Sequence, residues 1–99
     1  TKVRDEAPTY YHTGCEVNDC LIADGCNVYG KIENSVIFRN VVIEKGATVR
    51  NSIIMQGTVI GAGANINYAI VDKDVTISPS ATLMGASSVP AIVHKGVTV

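Results

Sequence analysis

Ile37-Phe38-Arg39-Asn40-Val41-Val42 is followed by two similar stretches at a constant interval, Ile54-Met55-Gln56-Gly57-Thr58-Val59 and Val71-Asp72-Lys73-Asp74-Val75-Thr76. Within each interval, aliphatic residues recur after six, six and five positions, and equivalent aliphatics form three sets: Ile37, Ile54 and Val71; Ile43, Ile60 and Ile77; Val49, Ile66 and Leu83. Neither a helical period nor strict alternation produces this spacing. A hexapeptide period instead predicts an all-β parallel β-helix, a solenoid in which three short strands form each coil.

The residues between the aliphatic positions are consistent with such a coil. The fifth position of each longer unit is small or β-branched, and the fourth favours a turn with positive φ. The residues at the fourth position are Gly14, Gly25, Asn40, Gly46, Gly57, Gly63, Asp74 and Ser80. In the shorter units, Asn34 and Asn51 lie at equivalent positions, so their side chains are expected to hydrogen-bond between neighbouring coils.

The repeat divides the chain into three segments. Residues 1–10 carry charge and a proline without any period, which predicts an entry segment or interdomain linker. Residues 11–85 are predicted to form about four coils, and residues 86–99 terminal strands that cap the solenoid, since an open end exposes core and strand edges. The first full coil, which runs from Ile22 to Val36, is shorter than its successors. Its missing residues fall at Tyr29-Gly30-Lys31, where Gly30 is expected to permit a tighter turn.

Composition excludes several classes of function. The 99 residues carry eight Lys+Arg and nine Asp+Glu, a formal net charge of −1, with no basic stripe, which argues against a nucleic-acid partner. The chain has no apolar run long enough for a membrane span and no signal peptide, so a cytoplasmic location is expected. Its three cysteines, Cys15, Cys20 and Cys26, form no CxxC motif and occupy small inward positions. They are predicted to be core residues, and no metal site is expected.

Few residues are candidates for chemistry. The two histidines, His12 and His94, lie at opposite ends of the repeat, whereas a hexapeptide acyltransferase usually carries a catalytic His on the repeat itself. No catalytic residue is therefore predicted. Lys73 and Lys95 are the best candidates for contacts to an anion. A free-standing acyltransferase that binds coenzyme A is kept as the alternative function.

Several longer strings narrow the interpretation: Ile22-Ala23-Asp24-Gly25-Cys26, Glu33-Asn34-Ser35-Val36-Ile37-Phe38, Asn51-Ser52-Ile53-Ile54-Met55-Gln56 and Pro90-Ala91-Ile92-Val93-His94-Lys95-Gly96. With the short first coil and the longer coils after it, they make the chain resemble the C-terminal domain of bacterial glucose-1-phosphate adenylyltransferase (ADP-glucose pyrophosphorylase), most closely its D-type subunit in Gram-positive bacteria. The resemblance implies a left-handed β-helix that follows an N-terminal nucleotidyltransferase domain.

In that family, ATP and glucose 1-phosphate give ADP-glucose and pyrophosphate for glycogen synthesis, with Mg²⁺. The resemblance assigns catalysis, ATP and Mg²⁺ to the N-terminal domain, and implies no cofactor for the present chain. It also implies homo- or hetero-tetramers, in which the β-helix contributes to subunit association and effector response. On this basis Arg4, Lys73 and Lys95 are expected to contact an anionic effector or a partner subunit.

Overall fold

A computed structural model of the chain describes residues 9–99, and within this range all regular structure is β-strand. The fifteen strands are all very short: β1 (Tyr10–Tyr11), β2 (Glu16–Asn18), β3 (Leu21–Ile22), β4 (Asn27–Val28), β5 (Lys31–Glu33), β6 (Val36–Ile37), β7 (Val42–Ile43), β8 (Thr48–Arg50), β9 (Ile53–Ile54), β10 (Val59–Ile60), β11 (Asn65–Asn67), β12 (Ala69–Val71), β13 (Thr76–Ile77), β14 (Thr82–Met84) and β15 (Ala91–Val93).

Every third strand belongs to the same sheet, which makes the chain a three-sided solenoid. Sheet A contains β1, β4, β7, β10 and β13, sheet B contains β2, β5, β8, β11 and β14, and sheet C contains β3, β6, β9, β12 and β15. All neighbouring strands pair in parallel. About four complete turns separate β1 from β13, so the predicted β-helix of about four coils is confirmed.

The register confirms the predicted aliphatic columns. Ile37, Ile54 and Val71 are consecutive partners in sheet C, Ile43, Ile60 and Ile77 in sheet A, and Val49, Ile66 and Leu83 in sheet B. All of these side chains are buried except Leu83, which is half-buried on the last strand of sheet B. The three columns fill the interior of the prism and form one continuous apolar core.

The predicted turn residues adopt the conformation that their types favour. All eight fourth-position residues have positive φ, including the non-glycines Asn40, Asp74 and Ser80. Tyr68, which is equivalent to Asn51 one coil earlier, also has a φ of 51°. A bulky residue rarely adopts this region, so the ladder above and below must hold the Tyr68 backbone there.

Side-chain hydrogen bonds link the coils at the corner between sheets B and C. Asn34 Nδ2 donates to Asn51 Oδ1 at 2.8 Å, as predicted, and Asn51 Nδ2 continues the chain to Asn67 Oδ1 at 3.1 Å. Beneath them, the hydroxyl of Ser52 accepts from Ala69 N at 3.2 Å and donates to Arg50 O at 2.6 Å. The small inward residues at this corner therefore also complete the backbone ladder.

The short coil depends on Gly30, but for a different reason from the one predicted. Register partners in neighbouring coils, such as Val17 and Ile32, confirm the shortened step. Gly30 does not have positive φ. It is buried, and a Cβ there would lie 2.4 Å from Ala47 O and 2.9 Å from Glu44 O. Because the shortened chain runs directly against the next coil, lack of space rather than backbone conformation requires glycine here.

The C-terminal segment continues the ladder. Strand β15 pairs with β12, with Ala91 opposite Ala69 and Val93 opposite Val71. Paired residues are farther apart in the sequence here than in the earlier coils, because the loop at 85–90 adds length. Met84, the last residue before this loop, lies in β14. After a turn at Lys95-Gly96, Thr98 bridges to Thr76 in sheet A. The segment thus covers the ends of sheets C and A by starting a further coil.

Candidate functional site

The outer faces of sheets B and C differ sharply in character. On sheet B, the outward column is polar and includes Glu16, Lys31, Thr48, Asn65 and Thr82. Two ion pairs bridge its strands, Lys31 Nζ to Glu16 Oε2 at 3.0 Å and Arg50 Nε to Glu33 Oε2 at 3.6 Å. These side chains are about half exposed, so each pair contributes little to stability, and this face is suited to contact with water.

The outward column of sheet C is aliphatic on all five strands. Its members, each paired with the next, are Leu21, Val36, Ile53, Ile70 and Ile92. Leu21 is 72% exposed, Ile53 37% and Ile92 61%. We call this column, together with the neighbouring Phe38, the apolar face. A contiguous exposed apolar surface of this kind is typical of a site that another protein surface covers.

A groove lies at the N-terminal end of the apolar face. It has a volume of about 610 Å³, and its walls include Leu21, Val36 and Phe38 on the apolar face and Arg39 and Gln56 at the corner between sheets C and A. The groove combines an aliphatic floor with a polar rim, which is the arrangement found in the buried centre and the edge of protein interfaces.

The structure brings two of the predicted anion contacts together. Lys73 and Lys95 occupy equivalent turns at the corner between sheets C and A, because Gly96 N donates to Lys73 O at 3.1 Å. Both side chains are exposed and lack an ion pair within residues 9–99. Neighbouring strands of a sheet are about 4.8 Å apart, so the two lysines can contact one ligand. Asp72 and Asp74 flank Lys73 and partly offset its charge.

The remaining sequence candidates lie apart. Arg4 falls outside the described residues. His12 stacks on Tyr29 with ring centroids 3.9 Å apart, and its Nε2 lies 3.2 Å from Asn27 Oδ1, at the first coils. His94 lies in the exposed turn of the last coil. The two imidazoles are therefore at opposite ends of the solenoid, where they cannot act on one substrate.

The cysteines are in the core, as predicted. Cys26 is fully buried and its Sγ lies 3.1 Å from Phe38 O, while Cys15 and Cys20 are half-buried against the core. All three are free thiols. Within residues 9–99, no three His, Cys, Asp or Glu side chains converge on a position suitable for a metal ion. The same range contains no helix long and apolar enough to cross a membrane.

The apolar face was not predicted from the sequence, although a signal for it exists. Each strand of sheet C contains two adjacent aliphatic residues: Leu21-Ile22, Val36-Ile37, Ile53-Ile54, Ile70-Val71 and Ile92-Val93. Because successive side chains of a strand point to opposite sides, one member of each pair must be outside the prism. Sheet A has such pairs only on β7 and β10, so adjacent aliphatics on every strand of one sheet indicate an apolar outer surface.

Comparison with known proteins agrees with this fold. The model of the family described as GlmU-like, C-terminal hexapeptide matches residues 7–99. The glycogen biosynthesis protein GlgD of Bacillus subtilis (strain 168) is 48% identical over 96 residues, and that of Geobacillus stearothermophilus 57%, in both cases over 97% of this chain and 28% of the relative. A glucose-1-phosphate adenylyltransferase of Geobacillus stearothermophilus is 44% identical over 46 residues, which is 46% of this chain and 12% of that protein. The chain spans only about a quarter of the length of the GlgD relatives.

Proposed function

Because the chain belongs to the GlmU-like C-terminal hexapeptide family, we propose that it is the structural and regulatory C-terminal domain of a glucose-1-phosphate adenylyltransferase-related protein in glycogen biosynthesis. In this proposal it mediates subunit association and transmits the response to an effector. Nucleotide transfer, with ATP and Mg²⁺, belongs to the part of the relatives that this chain does not cover. The similarity to two GlgD proteins over 97% of the chain supports this assignment.

The apolar face is the observation that carries the association part of the proposal. Five aliphatic side chains, three of them exposed and two half-buried, form the outward column of sheet C, whereas the outward column of sheet B, built from the same coils, is polar. Leaving such a column in water forgoes the free energy of its burial, about 25 cal/mol for each Å² of apolar area. The face therefore docks on a catalytic domain or a partner subunit, while sheet B stays in solvent.

Light scattering tests this association. We expect the chain to form a complex with a full-length glucose-1-phosphate adenylyltransferase such as that of Geobacillus stearothermophilus, visible as added mass. Ile53→Glu places a charge in the middle of the apolar face and should abolish the complex, because the carboxylate would be desolvated there. Asn65→Glu, an exposed change on sheet B, should leave it intact. The proposal would be contradicted if both variants bound the adenylyltransferase equally well, or if the wild-type chain stayed monomeric in the mixture.

The neighbouring side chains of Lys73 and Lys95 support the effector part of the proposal. An anion with two charged groups matches Lys73 and Lys95 on neighbouring coils, and pyrophosphate is a suitable probe. We expect pyrophosphate to shift the amide resonance of Gly96. The double variant Lys73→Gln, Lys95→Gln should weaken its binding by up to about thirtyfold, since each exposed pair contributes up to about 1 kcal/mol. Arg50→Gln, which removes an exposed charge on sheet B, serves as the control. Binding that the double variant leaves unchanged would remove these lysines from the effector site.

The coenzyme A-dependent acyltransferase is not favoured. A hexapeptide acyltransferase needs a general base on the repeat, and the two histidines of this chain lie at its two ends.

A further inference from the structure

The short coil, which is the second of the five that pass the corner between sheets A and B, leaves a gap there. The other coils each carry a tip of two residues there: Thr13-Gly14, Lys45-Gly46, Ala62-Gly63 and Pro79-Ser80. In the short coil, Tyr29 is followed directly by Gly30, without a tip. Gly30 is equivalent to Ala47 of the next coil, because Glu16 N donates to Gly30 O just as Lys31 N donates to Ala47 O. We call the gap between the tips Thr13-Gly14 and Lys45-Gly46 the notch.

The notch is a cavity of about 360 Å³, lined by Thr13, Tyr29, Gly30, Lys31, Lys45 and Gly46 among others. This volume falls within the range of small-molecule sites. The cavity arises because one coil lacks its tip, while the coils on both sides of it are complete at this corner. It is therefore a built feature of the solenoid rather than a gap between loosely packed loops.

The missing tip also leaves backbone groups unpaired. In later coils, each tip amide bonds to the tip before it: Gly63 N to Lys45 O at 3.2 Å and Ser80 N to Ala62 O at 2.8 Å. The short coil has no tip, so it offers no such carbonyl to the Gly46 N–H. Within residues 9–99, neither the Gly46 N–H nor the Thr13 C=O has a hydrogen-bond partner. The notch thus presents a free donor beside its two lysines.

The charges of the notch favour an anion. Lys31 and Lys45 line it, and no Asp or Glu does so among the described residues. The carboxylate in contact with these lysines is that of Glu16, which pairs with Lys31 at 3.0 Å from outside the cavity. Two ammonium groups and a turn N–H form a common arrangement for binding phosphate oxygens. The ring of Tyr29, 36% exposed and held by its stack on His12, supplies an apolar wall next to them.

The geometry points to the notch as a binding site for a small phosphate monoester, with its phosphate on Lys31, Lys45 and the Gly46 N–H and its organic part against Tyr29. The site does not rest on the function proposed above. It lies on the edge of the prism opposite sheet C, so a partner on the apolar face leaves it open, and it shares no residue with the corner of Lys73 and Lys95.

Titration of the ¹⁵N-labelled chain at constant ionic strength tests the site, with phenyl phosphate and inorganic phosphate as probes. We expect a saturable shift of the Gly46 amide with both, and tighter binding of phenyl phosphate because of its ring. Lys45→Gln should weaken phenyl phosphate binding about fivefold, the effect of one exposed charge pair. Glu16→Gln should strengthen it, since it frees Lys31. Arg50→Gln, which removes an exposed charge on sheet B, should change nothing.

A second variant fills the notch. Insertion of Ala-Gly between Tyr29 and Gly30 restores a full-length coil and gives Gly46 N a carbonyl partner, so it should abolish binding while the chain stays folded by circular dichroism. Equal affinity for the two probes would overturn the monoester assignment in favour of free phosphate. The site would be overturned if the Gly46 amide resonance shifted no more than that of Gly63, or if Lys45→Gln and Arg50→Gln had equal effects.

Discussion

Ile60→Asp is expected to unfold the chain at room temperature. Ile60 is fully buried in the middle of the sheet A column, between its partners Ile43 and Ile77. No described cation lies inside this aliphatic core to pair with a carboxylate. An unpaired buried charge costs several kcal/mol, and a domain of this size is stable by about 5–15 kcal/mol. Thermal denaturation followed by circular dichroism measures the loss.

The matched control is Ile92→Asp, the same substitution on the outside of sheet C. Ile92 is 61% exposed, so its carboxylate stays hydrated and the melting temperature should change by only a few degrees. If Ile60→Asp melted like Ile92→Asp, the inward column would be assigned to the wrong side of the strand. Because a slip of a single position exchanges the two sides, this pair of variants tests the register directly.

Gly30→Ala is expected to cost about 3 kcal/mol, although it adds only a methyl group. The added Cβ would lie 2.4 Å from Ala47 O and 2.9 Å from Glu44 O, both backbone atoms of the next coil. Ala47 O also accepts from Lys31 N at 2.9 Å, so it cannot retreat without loss of that hydrogen bond. For a chain of this length, the loss corresponds to a fall in melting temperature of roughly 15 °C.

Gly14→Ala provides the comparison, because it tests conformation without crowding. Gly14 has a φ of 90°, and a Cβ there meets no atom within 4 Å. Its cost should be limited to the backbone strain of a positive φ, about 1–2 kcal/mol. A larger loss for Gly14→Ala than for Gly30→Ala would show that turn conformation, and not close approach of the coils, limits the short coil.

The core could be predicted from the sequence because it repeats. Once Ile37, Ile54 and Val71 are recognised as equivalent positions of one repeat, parallel stacking follows, and the turn residues between them must adopt positive φ. Gly57 and Asp74, for example, do so at equivalent positions. Local preferences and the hydrophobic period support the same structure at each coil, which is why the prediction was confirmed for the solenoid as a whole.

The candidate sites were predicted less well. Lys73 and Lys95 were identified only as single exposed lysines; their adjacency follows from the longer step that the loop at 85–90 creates. The regular step would have placed Lys73 opposite Pro90 instead. The apolar face was overlooked because its residues resemble ordinary strand aliphatics, and only the assignment of all five pairs to one sheet shows that they share a surface.

The coil follows from the repeat alone: its strand spacing, inward columns, turn positions and the place of the missing residues. These depend on neighbours within one repeat, and the pattern records them directly. The stacking of the coils sets the outer surface: an aliphatic face on sheet C, a pair of lysines on one corner and a notch on another. Each of these depends on which coils stack against each other and at what step, so it arises from contacts between residues that are distant in the sequence.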